Sequence, residues 1–228
     1  MPEKIALMFA RVRKGGSLGK NNSETIDNLG RSKDAGVIDA FFVIDAGSPV
    51  KYADELRQKI ILAGGGYDRQ PLSGYGFYQR ELFGWGYNRG AHFVYYLQGG
   101  SSLGPAPGLA RPENMQVWQS AFKKDPAFDI CIPDISIPNI SNNTGAVGTI
   151  GAIDTPNIAD ILKSYARNRN RNLAVRRKAI PFFTQTYYQT VGKEKVAIKD
   201  VNHCIAALTN ASLAGAKIGR VNIQLKKN

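Results

Sequence analysis

Residues 37–64 read VIDAFFVIDAGSPVKYADELRQKIILAG and contain a strand pattern followed at once by a helix pattern. The first part, Val37 to Ile44, is an apolar run of strand length and is rich in residues that favour β structure. Ser48 and Pro49 then supply an N-cap and a first-turn proline, and apolar residues recur at helical spacing until Gly64. These residues predict a strand, a short turn and a helix.

The same reasoning extends to both sides of this unit. Residues 14–36 are polar and glycine-rich, which predicts a long loop. Pro133 and Pro138 predict that residues 130–153 form extended edge structure or a surface arm, because proline is excluded from central strands. The remaining predictions are strands at 4–12, 92–97, 180–190, 196–198 and 218–225, and helices at 112–124, from 155 onward and at 200–214.

The middle of the chain combines repeated glycines with aromatic residues. Ten of the 22 aromatic residues fall between Tyr67 and Tyr96. Glycines at this density predict short strands and turns rather than a long helix. The aromatic side chains also resemble the composition of binding hot spots, so we expect a subunit interface. Its predicted residues are Tyr75, Phe77, Tyr78, Phe83, Trp85 and Tyr87.

Together these patterns predict an α+β fold in which two small α+β modules flank a glycine- and aromatic-rich region of strands and loops. The expected regions are 1–66, an N-terminal α+β module, 67–153, the strand and loop region with one short helix, and 154–228, a basic α+β module.

Composition restricts the class of protein. Hydrophobic residues make up 43% of the chain and charged residues 21%, which is typical of a folded protein. No signal peptide or apolar membrane span is visible, and Cys131 and Cys204 are 73 residues apart without metal-ligand spacing. We therefore expect a cytoplasmic protein, within a virion if viral, that is not secreted by a signal peptide.

The net charge of +12 lies entirely in the last third of the chain. Residues 1–160 contain 16 basic and 16 acidic residues, whereas residues 161–228 contain 14 basic residues against Glu194 and Asp200. This distribution indicates a localised anionic partner, either nucleic acid or an acidic protein. The residues predicted to bind it are Arg167, Arg169, Arg171, Arg176, Arg177 and Lys178.

Catalytic patterns are scarce in the sequence. There are two histidines, His92 and His203, and we find no nucleophile with a base, carboxylate pair, metal cluster or phosphate loop at the required spacing. His203 and Cys204 are neighbours in a predicted helix, where adjacent side chains diverge. We therefore expect no enzymatic activity, no metal, no organic cofactor and no small-molecule substrate.

These observations favour a non-enzymatic structural subunit of a large assembly, and we expect a capsid or tail component of a virus or phage. Its expected partners are copies of itself, other assembly subunits or nucleic acid, but no membrane. The alternative is an RNA- or DNA-binding subunit of a ribonucleoprotein complex.

A third interpretation comes from the C-terminal residues. The predicted helix, followed by Gly215-Ala216-Lys217-Ile218 and a strand, resembles the small terminal domain of phycobilisome linkers, which also tend to be basic. This resemblance implies a basic linker protein that binds acidic subunits.

Overall fold

A computed structural model describes residues 4–12, 18–99, 106–124, 128–136, 172–197 and 202–225. The fold belongs to the α+β class, as predicted, with helices on both faces of a mixed seven-stranded sheet. The division into three regions stays a prediction, and the sheet takes strands from each of them. Arg167, Arg169, Arg171 and the helix expected from Thr155 lie outside the described residues.

The strands of the large sheet lie in the order β3-β2-β1-β4-β6-β5-β9, and β7 and β8 form a separate hairpin around Gly192. Strands β3, β2, β1 and β4 are parallel, β6 is antiparallel to both β4 and β5, and β5 is parallel to β9. Their bounds are β1 Lys4–Ala10, β2 Ala40–Ala46, β3 Gly66–Gln70, β4 Phe93–Gln98, β5 Ile130–Ser136, β6 Leu173–Arg176, β7 Tyr188–Val191, β8 Glu194–Ala197 and β9 Ile218–Gln224.

Helices cover both faces of the sheet, and alternate side chains of β1 enter the two cores. Ile5, Leu7 and Phe9 pack on the face that carries α3 and α7, whereas Ala6 and Met8 pack on the face that carries α1, α2 and α5. None of the described helices is long and apolar enough to cross a membrane. The helices are α1 Lys20–Asp34, α2 Val50–Leu62, α3 Tyr75–Asn88, α4 Ala106–Leu109, α5 Pro112–Lys124, α6 Ile180–Thr184 and α7 Asn202–Leu213, with a 3-10 turn at Arg177–Ala179 before α6.

The loop predicted at 14–36 was wrong, because most of it is helix α1. The buried face of α1 includes Asn22, Thr25, Asn28 and Ser32 beside a few apolar residues. Asn28 donates to the carbonyl of Pro107, and Ser32 donates to the carbonyl of Ala110. A buried face that is satisfied by hydrogen bonds does not show the apolar periodicity on which the prediction depended.

The prediction that glycines exclude a long helix from residues 64–108 was also wrong, because α3 contains Gly76, Gly84 and Gly86. A Cβ atom at Gly76 would lie 2.9 Å from Cβ of His203, and one at Gly86 would lie 3.0 Å from Cγ2 of Val94. These two glycines therefore permit close packing within a continuous helix.

Three smaller predictions also need correction. Of the range 130–153, only 130–136 is described, and it forms β5: its first two residues lie between β6 and β9, which corrects the edge prediction there, whereas Pro133 pairs with β9 alone, as expected of an edge position. Ser48 does not cap α2; its Oγ accepts a hydrogen bond from the Val12 amide at 2.8 Å. The strand predicted at 180–190 begins instead as helix α6 and becomes extended only at β7.

Candidate functional site

The parallel half of the sheet contains a topological switch point between β1 and β4. From β1 the chain passes through α1 to β2 on one side, and from β3 it passes through α3 to β4 on the other side. Helices α1 and α3 pack on opposite faces. In open α/β sheets, a crevice that binds ligands lies outside the carboxyl ends of the strands at such a point.

Backbone hydrogen bonds join the carboxyl ends of β1, β4 and the start of β6. The Gly99 amide donates to the Phe9 carbonyl at 2.8 Å, and the Gln98 amide donates to Oδ1 of the buried Asn172 at 2.8 Å. A Cβ atom at Gly99 would lie 2.6 Å from the Phe9 carbonyl oxygen and 2.9 Å from Oδ1 of Asn22. Only glycine fits at this position without displacing its neighbours.

Asn22, in the first turn of α1, connects that helix to the end of β1. Its side-chain amide donates to the carbonyls of Leu18 at 3.1 Å and Arg11 at 3.4 Å, and the residue is 4% exposed. Its Oδ1 faces Gly99 and, like Oε1 of Gln98, is buried without a hydrogen-bond partner in the described part of the chain. Buried polar atoms are normally paired, so these two acceptors, next to the carboxyl ends of β1 and β4, mark this edge of the sheet as a candidate ligand site.

We define the switch site as Arg11, Lys20, Asn22, Gln98 and Gly99. Arg11 follows β1 directly and is exposed, and Lys20 is the exposed first residue of α1. Residues 11–20 contain four basic residues and no acidic one, and residues 98–112 contain Arg111 and no acidic residue. The two segments that leave the switch point therefore favour an anionic ligand.

The end of β2 is held by a buried carboxylate, Asp45. Oδ1 accepts a hydrogen bond from the Ser48 amide at 3.0 Å, and Oδ2 accepts one from the Tyr67 hydroxyl at 3.0 Å and lies 3.9 Å from Nε of Arg69. Burial, followed by the charge of Asp45, raises the pKa of Tyr67. Both oxygens of Asp45 are thus used to fix the strand ends beside the switch site.

Tyr78 of α3 completes this edge of the sheet. Its hydroxyl donates to the Pro71 carbonyl at 2.7 Å and accepts from the Ser73 amide at 2.5 Å. Burial raises the pKa of Tyr78, while the Ser73 amide and the Arg11 guanidinium oppose this shift. Tyr78 therefore supports the loop after β3 and remains protonated at neutral pH.

The described part of the predicted basic cluster lies at the opposite, amino edge of the sheet. Arg176 is paired with Phe93, the first residue of β4, and donates to the carbonyls of Phe128 at 2.6 Å and Phe122 at 2.8 Å. Arg177 donates to the Tyr87 carbonyl at 3.2 Å. Nζ of Lys178 lies 2.7 Å from Oδ1 of Asp129.

These three side chains therefore have partners within the chain. Whether the cluster also contacts nucleic acid or an acidic protein stays a prediction.

The aromatic residues predicted to form a subunit interface lie on α3. Tyr78 and Phe83 are buried against the sheet, and the Trp85 ring stacks on Phe42 with ring centroids 4.3 Å apart. Phe77 is half-buried, Tyr87 is exposed, and the side chain of Tyr75 is not described. A subunit contact through these residues stays a prediction.

His203 and the cysteines lie away from the switch site. Cys131 is buried in β5. Cys204 accepts a hydrogen bond from the Gln79 side chain, and Nε2 of His203 lies 3.3 Å from the Phe183 carbonyl. Burial lowers the pKa of His203, and the Phe183 carbonyl opposes this shift. These contacts are those of core residues packed between α3, α6 and α7.

Two open grooves lie outside the switch site. One, of about 620 Å³, runs between α1 and α2 and is lined by charged side chains such as Asp27 and Lys59, which form an ion pair at 2.6 Å. The other, of about 450 Å³, lies beside α3 near Trp85 and Arg89. Neither groove has buried polar atoms without partners among its lining residues.

Sequence reasoning missed the residues of the switch site. The available signal was the basic, glycine-rich segment 11–20 directly after an apolar strand, a pattern typical of phosphate sites. It was interpreted as part of a loop because helix α1 was not recognised. Gln98 carried no signal, since its significance depends on the order of strands in the sheet.

The comparisons with known proteins identify the fold. No protein-family model matches the chain, and no curated protein matches its sequence. Glucosyl-3-phosphoglycerate synthase from Mycobacterium tuberculosis, in complex with phosphoglyceric acid, matches all of this chain and 72% of its own length with a TM-score of 0.57 and 13% identity. S. aureus TarS in complex with UDP matches 98% of this chain and 61% of its own length with a TM-score of 0.56 and 10% identity.

A third match extends the range of enzymes that share this fold. A 4-diphosphocytidyl-2C-methyl-D-erythritol synthase from Anaerococcus prevotii matches 98% of this chain and 89% of its own length, with a TM-score of 0.50 and 12% identity. This chain therefore shares its overall fold with these three proteins.

That finding overturns the functional prediction made from the sequence. The prediction of a non-enzymatic structural subunit of a virion was wrong, and so were the ribonucleoprotein and linker alternatives. The named solved structures that share the fold are enzymes. The prediction failed because the absence of known catalytic motifs was taken as the absence of a site.

Proposed function

We propose that this chain is a glycosyltransferase that uses a nucleoside-diphosphate sugar as donor. The observation that carries the proposal is the switch site, which combines two exposed cations, Arg11 and Lys20, with two buried amide oxygens that have no partner among the described residues. A nucleotide sugar combines phosphates, which suit Arg11 and Lys20, with hydroxyl groups, which suit the acceptor oxygens of Asn22 and Gln98. The fold shared with a UDP-bound protein supports this choice.

In the proposed reaction, the bond between the anomeric carbon and the β-phosphate oxygen breaks, and its electron pair remains on the diphosphate. The hydroxyl oxygen of the acceptor forms the new bond to the anomeric carbon, and its proton passes to water. The leaving group gains negative charge in this step, so a cationic environment at the end of β1 stabilises the transition state more than the ground state.

The test is a binding panel followed by a turnover assay. Uridine, guanosine, cytidine and adenosine diphosphates and their hexose conjugates are titrated into the chain by calorimetry, and free nucleoside diphosphate is then measured during incubation with acceptors. We expect the chain to bind nucleotides that carry one of the four bases, and to release the corresponding nucleoside diphosphate when an acceptor is present. Release of pyrophosphate from a nucleoside triphosphate would instead indicate nucleotidyl transfer and refute the proposal.

Gln98→Leu provides the site-specific variant, because it removes Oε1 and keeps the backbone amide that donates to Asn172. We expect donor affinity to fall by about tenfold, the effect of one hydrogen bond of about 1.4 kcal/mol. Gln185→Leu is the matched control, since Gln185 is exposed near the end of α6. If both variants bind the donor with equal affinity, Gln98 does not contact the donor.

We also propose that the protein acts in the cytoplasm. Its two cysteines are buried thiols that are not joined in a disulfide, which suits a reducing compartment.

A further inference from the structure

We infer that this chain holds the diphosphate of its nucleotide directly, through Arg11, Lys20 and the first amides of α1, without a divalent cation. The inference rests on the proposed function and concerns how the same site neutralises its ligand. Proteins bind diphosphates in two ways, through a metal ion held by carboxylates or through cationic side chains and backbone amides. The residues of the switch site distinguish between these two arrangements.

The carboxylates that a metal ion requires are missing from the segments at the switch point. Residues 4–23 contain no Asp or Glu, and the next acidic residue after β4 is Glu113. At the end of β4 stand an amide, Gln98, and a glycine whose position excludes any side chain. Mg²⁺ and Ca²⁺ depend on oxygen ligands that are largely carboxylates, so these segments do not provide such a site.

The nearest carboxylates on neighbouring strands do not replace them. Asp45 already accepts hydrogen bonds from Ser48 and Tyr67 and lies beside Arg69. Asp134 lies in β5, two strands from β4, which is about 10 Å across the sheet at the usual strand spacing. Within the described residues, no group of three or more His, Cys, Asp or Glu side chains is placed to hold a metal ion.

Direct binding is favoured by the N-terminus of α1. This 15-residue helix begins at Lys20 after Gly19, whose φ of 79° turns the chain into the helix, and Gly19 as N-cap residue has no side chain with which to cap its first amides. Such amides and the helix dipole bind phosphate groups. Asn22 lies in the same turn, is 4% exposed and holds the backbone of Arg11 against the helix, and its Oδ1 has no hydrogen-bond partner in the part of the chain that the structure describes.

The experiment measures nucleotide binding with and without metal. UDP, GDP, CDP and ADP are titrated into the full chain by calorimetry in EDTA, and the titrations are repeated with Mg²⁺ and with Mn²⁺. We expect one nucleotide to bind in EDTA with a dissociation constant within about twofold of its value with metal. Binding that appears only with metal would overturn the inference and leave the proposed function intact, whereas no binding in any buffer would refute both.

A charge-matched pair of double variants tests the residues themselves. Arg11→Gln with Lys20→Gln should weaken nucleotide binding in EDTA by about tenfold or more for each cation. Arg57→Gln with Lys217→Gln removes the same charge from exposed positions outside the site and should leave binding unchanged. Thermal unfolding shows whether each variant folds. If the two folded double variants bind the nucleotide with equal affinity, Arg11 and Lys20 do not hold its diphosphate and the inference is wrong.

Discussion

Replacing Gly99 by alanine tests the geometry of the switch site most directly. The added Cβ would lie 2.5 Å from Cε of Met8, 2.6 Å from the Phe9 carbonyl oxygen and 2.9 Å from Oδ1 of Asn22. Met8 ends in a flexible side chain and can move, but the Phe9 carbonyl belongs to β1 and already accepts the Gly99 amide at 2.8 Å. The contact with that carbonyl therefore determines the effect.

We estimate the cost from two contributions. Overpacking of a well-packed site costs about 1–3 kcal/mol, and weakening the Gly99 to Phe9 hydrogen bond costs about 1 kcal/mol. Gly99→Ala should then lower the free energy of unfolding by about 2–4 kcal/mol. Gly84→Ala is the matched control: Gly84 lies within α3 and a Cβ there meets nothing within 4 Å, so this change should stabilise the chain by about 1 kcal/mol.

Urea unfolding followed by circular dichroism compares both variants with the parent chain. The reasoning about the switch site predicts opposite signs for the two glycines, although the substitutions are chemically identical. If Gly99→Ala is as stable as the parent chain, β1 and β4 do not approach as closely as the structure shows. The same result would refute the arrangement of Asn22 and Gln98 on which the proposed function depends.

Three further predictions concern other parts of the fold. Asp45→Ala should lower the free energy of unfolding in urea by about 3–5 kcal/mol because it leaves buried donors unpaired, whereas exposed Asp34→Ala should change it by less than about 0.5 kcal/mol. Burial lowers the pKa of His203 in the folded state, so below the unfolded pKa of about 6.5 the unfolded chain binds a proton that the folded chain does not. The free energy of unfolding should therefore decrease as the pH is lowered below that value, by up to about 1.4 kcal/mol per pH unit. His203→Gln should reduce that slope, and a slope equal to that of the parent chain would contradict this role of His203. Arg176→Gln should lower the thermal midpoint because two carbonyls lose their donors, and an unchanged midpoint would show that these hydrogen bonds add nothing.

The sequence predicts the elements that bury an apolar face. The strand at 4–12, the strand and helix within 37–64 and the helix at 112–124 all correspond to observed elements within a few residues. In each case the apolar side chains alternate or recur at helical spacing, and the structure buries them on one or both faces of the sheet. Burial of apolar surface is the dominant contribution to folding, so it leaves the clearest pattern in the sequence.

Elements that depend on close packing or polar contacts could not be predicted in this way. The glycines of α3 resemble helix breakers until the position of His203 against Gly76 is known. Asn28 of α1 resembles a loop residue until its partner, the Pro107 carbonyl, is brought near by the fold. Both depend on contacts between residues that are 79 or more positions apart, which a local window does not contain.

The predicted basic cluster and the switch site lie at opposite edges of the sheet. Two described cations of that cluster, Arg176 and Lys178, lie at the amino edge, where Arg176 donates to backbone carbonyls and Lys178 pairs with Asp129. Arg11 and Lys20 belong to the part of the chain with no net charge, yet they are exposed at the carboxyl edge, where β1 ends and α1 begins. A cation is available to a ligand when the fold leaves it exposed at a crevice, so the local surroundings of each side chain matter more than the excess charge of its segment.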